Sequence, residues 1–320
     1  MPDIAGTPWT HPPQPTAERS AERRQQARRD RWRPIVIENP IHAFEPRPVV
    51  GGSYRPDTVC DGWSTEDFTV RLASIRGYSH RYRGIPRQDD AAVTVHKPTG
   101  SIVFAVADGV SAAELSHIGA TAACRAAVDG AIEELDRQSG GIDWSRVLKL
   151  AAWQLVEQAA RVLNLSVPDP AEAERLLATT LVAGVLTPTS RGARLTLVQV
   201  GDSSAWLLQH RRYRRLLGAK GDDGGPVVSS SVDPLPRVPV DLQPVELTLP
   251  IDSVLLIGTD GFGDPLGEGD GRVGHLFADV LAVPGPHLEL AYVLDFSRET
   301  FDDDRTLLVI WPFPVQDGSV

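Results

Sequence analysis

The chain has 320 residues, 42% hydrophobic and 23% charged, the make-up of an ordinary globular protein with room for one large domain. Its formal net charge of −10 excludes nucleic acid as the main partner, because a phosphate backbone needs a basic face. No apolar run approaches the roughly 18 residues that cross a bilayer, so no membrane segment is expected. Cys60 and Cys124 fit neither a disulfide framework nor a CxxC metal motif, and Met1-Pro2-Asp3-Ile4 does not open a signal peptide. A cytoplasmic, monomeric protein is the expectation.

Residues 1–62 stand apart. Eight prolines between Pro12 and Pro56 are scattered through them, and Glu18 to Arg33 is dense in arginine and glutamate with almost no apolar face. A flexible tail is expected there, followed by a domain over residues 63–314 and a short tail at 315–320. Phe68 to Ser74, Ala91 to Val95 and Ile102 to Ala107 read as strands, the last buried on both faces, with Pro98-Thr99-Gly100 as a turn. Ala112 to Leu135 reads as a helix with Ile118, Ala122, Ala126 and Ile132 near one face. A second helix follows Asp143 as N-cap, carrying Leu148, Ala151, Leu155, Ala159 and Val162 at helical spacing.

Short strands then return at Thr180–Leu186, Arg194–Val200, Ser204–Leu208 and Arg211–Leu217. Residues 218–244, rich in Gly, Ser and Pro, predict a long surface loop. Val245–Leu249 and Val254–Ile257 are further strands. Helical segments near Val273–Leu281 and His287–Thr300 precede a last strand, Arg305–Trp311. This order predicts an α+β fold with two packed antiparallel sheets flanked by helices.

Four acidic clusters sit at the ends of these apolar runs: Gln88-Asp89-Asp90, Asp108-Gly109, Asp260-Gly261 and Asp302-Asp303-Asp304. Carboxylates at strand ends converge while their strands stay buried. Converging carboxylates repel unless a cation lies between them, and a hard divalent ion with oxygen ligands is the usual solution. The pattern therefore points to metal-assisted hydrolysis at a phosphoryl or acyl centre. Ser111 and Ser203 have no paired base at a recognisable spacing, which argues against a serine nucleophile.

With these clusters go Gly77-Tyr-Ser-His80, Gly84-Ile-Pro86-Arg-Gln88-Asp89, Val106-Ala-Asp108-Gly109, Thr179-Thr180, Val200-Gly201-Asp202-Ser203, Thr259-Asp260-Gly261 and Asp303-Asp304-Arg-Thr306. In that order they resemble the bacterial branch of the metal-dependent serine/threonine protein phosphatases, the PPM (PP2C) family, over roughly Trp63 to Pro312. The resemblance implies an α/β/β/α sandwich with two Mn²⁺ or Mg²⁺ ions at one edge, hydrolysing phosphoserine or phosphothreonine. It implies Asp89, Asp108, Asp260 and Asp303 as ligands, the Gly109 carbonyl beside them, and Asp202 for a third, weaker ion. Asp90, Asp264, Asp302 and Asp304 fall outside that set. Phosphate binding is assigned to Arg83, with Arg87 and Arg81 as alternatives, and His80 is a candidate for touching phosphate or a bound water. The partner implied is a phosphorylated protein, the target of a Ser/Thr kinase.

Two departures matter. Gln88 stands where many relatives carry glutamate, which removes a negative charge, and Val110 stands where eukaryotic relatives carry histidine. They keep open a second reading, a weak or inactive module that binds phosphoproteins, and a third, hydrolysis of another phosphate ester.

Overall fold

A computed structural model of the chain describes residues 32–50, 54–137, 140–190, 192–217 and 233–313. The chain divides into Met1–Ile35, of which only residues 32–35 are described, and a body from Val36 onward. The expectations for residues 1–31, for 218–232 of the long loop and for the tail at 315–320 lie outside the described residues. No described helix is long and apolar enough to cross a membrane.

In chain order the body runs β1 (Thr58–Ser64), β2 (Phe68–Ile75), α1 (Tyr78–Arg83), β3 (Asp90–His96), β4 (Ser101–Ala107), α2 (Ser116–Asp136), α3 (Trp144–Leu163) and α4 (Pro170–Leu177). It continues β5 (Leu181–Thr189), β6 (Gly192–Val200), β7 (Ser204–Gln209), β8 (Arg212–Leu217), β9 (Val245–Leu249), β10 (Ser253–Gly258), α5 (Asp260–Leu266), α6 (Arg272–Val280), α7 (His287–Leu294) and β11 (Arg305–Pro312). One sheet has the order β1-β2-β11-β10-β7-β8 and the other β3-β4-β5-β6-β9, with every pairing antiparallel. The expected sandwich is present.

Its layers follow from side-chain alternation. Ile102, Phe104 and Val106 of β4 pack with Phe68, Val70 and Leu72 of β2 and with Leu255 and Ile257 of β10, forming the core between the sheets. Val103, Ala105 and Ala107 point the other way, against Ala120, Ala123 and Ala127 of α2 and Leu148, Ala151 and Leu155 of α3. The buried stripe of α2 is thus rotated from the expected one: Ile118, Ala122, Ala126 and Ile132 only flank it. Small alanines face the sheet because they let the helix approach closely. On the outer side of the six-stranded sheet, Trp206 meets Phe262 edge-on at 5.6 Å, and Phe262 meets Phe277 at 5.0 Å. Trp144 is also buried and donates to Thr196 Oγ1 at 2.9 Å, whereas Trp153 is exposed.

The body begins well before the expected boundary at residue 63. β1 pairs with β2 along its whole length, and Ile37 N–H donates to Ser297 O at 2.9 Å and Arg47 N–H to Arg81 O at 2.8 Å. These single backbone bonds between a proline-rich stretch and distant loops leave no periodic trace in the sequence.

Register gathers the acidic clusters at one end of the sandwich. Asp90 pairs with Ala107, so Asp89 and Asp108 extend the same ladder. Gly258 pairs with both Leu307 and Ser204, so Asp260, Asp303 and Asp202 follow at the same end of the other sheet. The turn before β11 is clamped between two backbone approaches. A Cβ at Gly261 would lie 1.9 Å from the Asp304 carbonyl oxygen, and one at Gly77 would lie 2.2 Å from the Asp303 carbonyl carbon. Gly261→Ala is expected to lower stability by about 1–3 kcal/mol or more through overpacking, read as a lower urea midpoint. Gly141→Ala, whose Cβ meets nothing within 4 Å, should leave the midpoint unchanged. Equal midpoints for the two variants would contradict the close packing of this turn.

Candidate metal centre

A cavity of about 300 Å³ opens at this end, lined by Asp108, Gly109, Val110, Ser111, Thr180, Gly201, Asp202, Pro234, Asp260 and Asp303. Five of the six positions expected to hold metal therefore share one pocket. The sixth, Asp89, lies just beneath, 1% exposed, at the entry to β3. One of its oxygens accepts the Thr259 hydroxyl at 2.7 Å. The other, Oδ1, is buried with no hydrogen-bond partner, as is Oδ1 of Asp260.

Backbone contacts aim these groups. Asp108 N–H donates to Thr180 Oγ1 at 2.9 Å, while Asp108 O accepts from Thr180 N–H at 2.8 Å and from the Thr179 hydroxyl at 2.7 Å. A Cβ on Gly109 would fall 2.7 Å from Ser116 Cβ, so this stretch runs against the first turn of α2 as only glycine allows. Asp260 is the first residue of α5, after the N-cap Thr259, where the positive end of the helix favours a carboxylate.

Without a cation, the carboxylates are held above their ordinary proton affinity. Burial pushes Asp89 well up, and the charges of Asp304 and Asp260 add to it. Burial does the same to Asp108, helped by Asp89, Asp260 and Asp303. Asp260 is raised to about 6, first by burial and then, against a hydrogen bond from Asp108, by Asp303, Asp202 and Asp264. Asp303 is raised by burial and by Asp304, less a bond from the Asp304 N–H.

Such a set fits a hard divalent ion: every donor is oxygen, two buried oxygens lack partners, and the mutual repulsion is what a positive charge relieves. A single ion does not need to reach all four carboxylates. More than one such ion would span the wider set. The tightest trio of ligand atoms among the described residues is His80, Asp303 and Asp304, mutually within 4.8 Å.

Asp304 is the residue that the sequence undervalues. Its carboxylate is 2% exposed and accepts Gly77 N–H at 2.6 Å and Gln88 N–H at 2.5 Å. His80 Nδ1 lies 2.9 Å from the same carboxylate and 3.9 Å from Asp303 Oδ1. Burial lowers the proton affinity of His80, but Asp304 more than restores it, leaving the imidazole above its usual range. Asp304 thereby ties the segments before β3 and before β11 together behind the pocket.

Neither Arg83 nor His80 lines the cavity. Arg83 is exposed and donates to Ser79 Oγ at 2.8 Å, and Arg81 pairs with Asp295 at 2.9 Å. Arg87 is buried and donates to Asp89 O at 2.7 Å and to Ser74 Oγ, so it braces Asp89 from behind. The sequence also misses Arg55, from the stretch read as a tail. Its guanidinium donates to Arg87 O at 2.6 Å, to Asp89 O at 2.7 Å and to Thr121 Oγ1 at 3.1 Å. Nothing in a lone arginine among prolines signals that role.

The raised carboxylates set a pH dependence. Asp260 keeps its proton up to about pH 6 when folded, against about 3.9 in an unfolded chain. The folded state therefore binds more protons in that interval, and the stability of the metal-free protein falls as pH rises through it. Asp89 and Asp108 add to the loss. The gain in Tm on adding millimolar Mg²⁺ to EDTA-treated protein should accordingly be small at pH 5 and several degrees larger at pH 7.5. A gain independent of pH in differential scanning fluorimetry would count against these carboxylates as the binding groups.

Solved structures share this fold. RsbX in complex with magnesium is 13% identical at a TM-score of 0.50, covering 79% of this chain and 100% of that one. A serine/threonine phosphatase of S. agalactiae is 15% identical at 0.50, covering 76% and 99%. The Mycobacterium tuberculosis serine/threonine phosphatase PstP/Ppp is 18% identical at 0.50, covering 77% and 99%. At such identities the likeness establishes architecture alone, and no curated protein matches the chain. The sequence model of Protein phosphatase 2C, however, matches residues 76–288, more than half of the chain, and the chain belongs to that family.

Proposed function

We propose that the protein is a divalent-metal-dependent phosphatase acting on phosphoserine and phosphothreonine in proteins. The observation that carries this reading is the gathering of Asp108, Asp260 and Asp303 in one pocket with Asp89 close behind Asp108, and with buried oxygens of Asp89 and Asp260 that no protein group satisfies. Asp89, Asp108, Asp260 and Asp303 would hold two Mn²⁺ or Mg²⁺ ions, the Gly109 carbonyl would assist, and Asp202 at the exposed rim would hold a third. When bound, such ions supply the positive charge that draws a phosphoryl group and lowers the pKa of an attacking water.

The protein's own groups do the positioning. The Thr259 hydroxyl fixes the rotamer of Asp89, and Arg87 and Arg55 hold its carbonyl. Asp304 and His80 set the turn that presents Asp303. With Arg81 and Arg87 engaged elsewhere, Arg83 is the guanidinium near this segment that stays exposed at the surface, where it would meet the phosphate of an incoming protein. The substrate would be the product of a Ser/Thr kinase.

One observation favours the alternative, a module that binds phosphoproteins with little or no turnover: no cationic side chain is among the described residues lining the pocket. The two readings separate cleanly. Manganese-dependent hydrolysis of p-nitrophenyl phosphate and of a phosphothreonine peptide is expected, with Asp303→Ala reducing kcat by about 10²–10³-fold. Phosphopeptide binding by calorimetry without turnover in either Mn²⁺ or Mg²⁺ would select the non-catalytic module. For Arg83→Ala, KM for the phosphopeptide should rise several-fold while kcat holds. Unchanged KM would remove Arg83 from phosphate capture.

A further inference from the structure

In a chain of net charge −10, the β7–β8 hairpin collects His210, Arg211, Arg212, Arg214 and Arg215 within six residues. Its two-residue turn is built at a cost. His210 and Arg211 both take left-handed backbone, φ 50° and 64°, in a position that asparagine and glycine occupy more easily. The turn is held by pairing: His210 Nε2 lies 3.2 Å from Asp252 Oδ2, and Arg211 pairs with Asp279. Arg215 turns inward, over Trp206 and toward Gly267 O at 3.3 Å.

Arg212 and Arg214 are different. They alternate on one face of β8, both exposed, and no ion pair or hydrogen bond engages either side chain among the described residues. β8 is also the last strand of its sheet, paired only with β7, so its outward backbone groups are open among the described residues. A cavity of about 490 Å³ lies against it, lined by Leu207, Gln209, His210, Arg212, Tyr213 and Arg214. An open edge beside apolar surface invites a further strand. On such a strand, side chains two residues apart would stand beside Arg212 and Arg214, where acidic groups pair best.

We propose that the outer edge of β8 docks an extended acidic segment of a partner polypeptide, which adds to the sheet and places alternate carboxylates beside Arg212 and Arg214. The charge contrast favours a foreign acidic segment over a nucleic acid, since the patch is one strand wide on an otherwise anionic protein. Edge arginines also serve as guards against self-pairing, which is the competing role.

Docking is tested apart from catalysis, with the full chain in EDTA so that peptide carboxylates have no metal to bind. A fluorescein-labelled peptide of about ten residues, alternating Glu and Thr, should bind in fluorescence anisotropy and weaken as salt is raised. The R212E/R214E variant should weaken binding by about tenfold or more, R212Q/R214Q by less, and Asp303→Ala not at all. Prolines at alternate positions of the peptide should abolish binding by removing strand N–H donors. Equal affinity for wild type and R212E/R214E, equal displacement by single-stranded DNA, or no peptide binding with aggregation appearing in R212Q/R214Q would each overturn the proposal, the last by revealing guards alone.

Discussion

Repulsion among carboxylates at one end of the sandwich is the constraint around which the rest is organised. Two unit charges 4 Å apart repel by about 4 kcal/mol at an effective dielectric of 20. Asp89, Asp108 and Asp260 are each pushed up by burial and by the charge of neighbouring aspartates. A fold that accepts this must be held by something else. Here it is the core between the sheets, where β2, β4, β10 and β11 interdigitate, and the register that carries the acidic residues past the strand ends as a group. The repulsion is then either relieved by protons, which weakens the anionic site, or by cations, which complete it.

Behind the anions lies a shell of guanidinium groups that act largely on backbone carbonyls rather than on the carboxylates lining the pocket. Arg87 and Arg55 both donate to Asp89 O. Arg305, 3% exposed, donates to Leu294 O at 3.1 Å and Phe296 O at 2.5 Å and stacks on the Phe296 ring at 3.8 Å. Burial lowers its proton affinity to about 10, which still leaves it charged at neutral pH. Directing cations to carbonyls fixes the chain without neutralising the acidic pocket from inside. An arginine reaching the pocket itself would compete with a metal ion for the same oxygens.

The strands and long helices were legible in the sequence because burial imposes a period on side chains. Ile102 to Ala107 is apolar throughout because β4 is covered on both faces, and Asp143 caps α3 by accepting Arg146 N–H at 3.1 Å. The acidic clusters were legible because a charge at the end of an apolar run is unusual. Helix α4 was missed although Asp169 and Pro170 form a recognisable start, Asp169 accepting Ala171 N–H at 2.9 Å. β1 and Arg55 were hidden for a deeper reason. β1 is a half-exposed edge strand that pairs only with its neighbour β2, and Arg55 acts through one guanidinium on residues distant in sequence, so neither leaves a period to read. Arg83 and Arg87 show the same limit: both lie in one short segment, and only the fold decides that one is buried behind Asp89 while the other faces solvent.

The two charged features of the molecule are connected by the hairpin itself. β7 leaves the acidic end at Ser204, next to Asp202, and β8 returns from Arg212 toward it. Leu207, opposite Arg214, stands three residues from Ser204, a distance of about 10 Å at the usual strand rise. An extended segment lying along β8 is therefore aligned with the acidic pocket, and about three to five further residues would bring it to the Gly201–Asp202 rim. A basic edge at that spacing draws an acidic chain toward a centre that, empty of cations, would repel it. Attraction along the strand and repulsion at its end would oppose each other until bound cations offset the charge of the carboxylates.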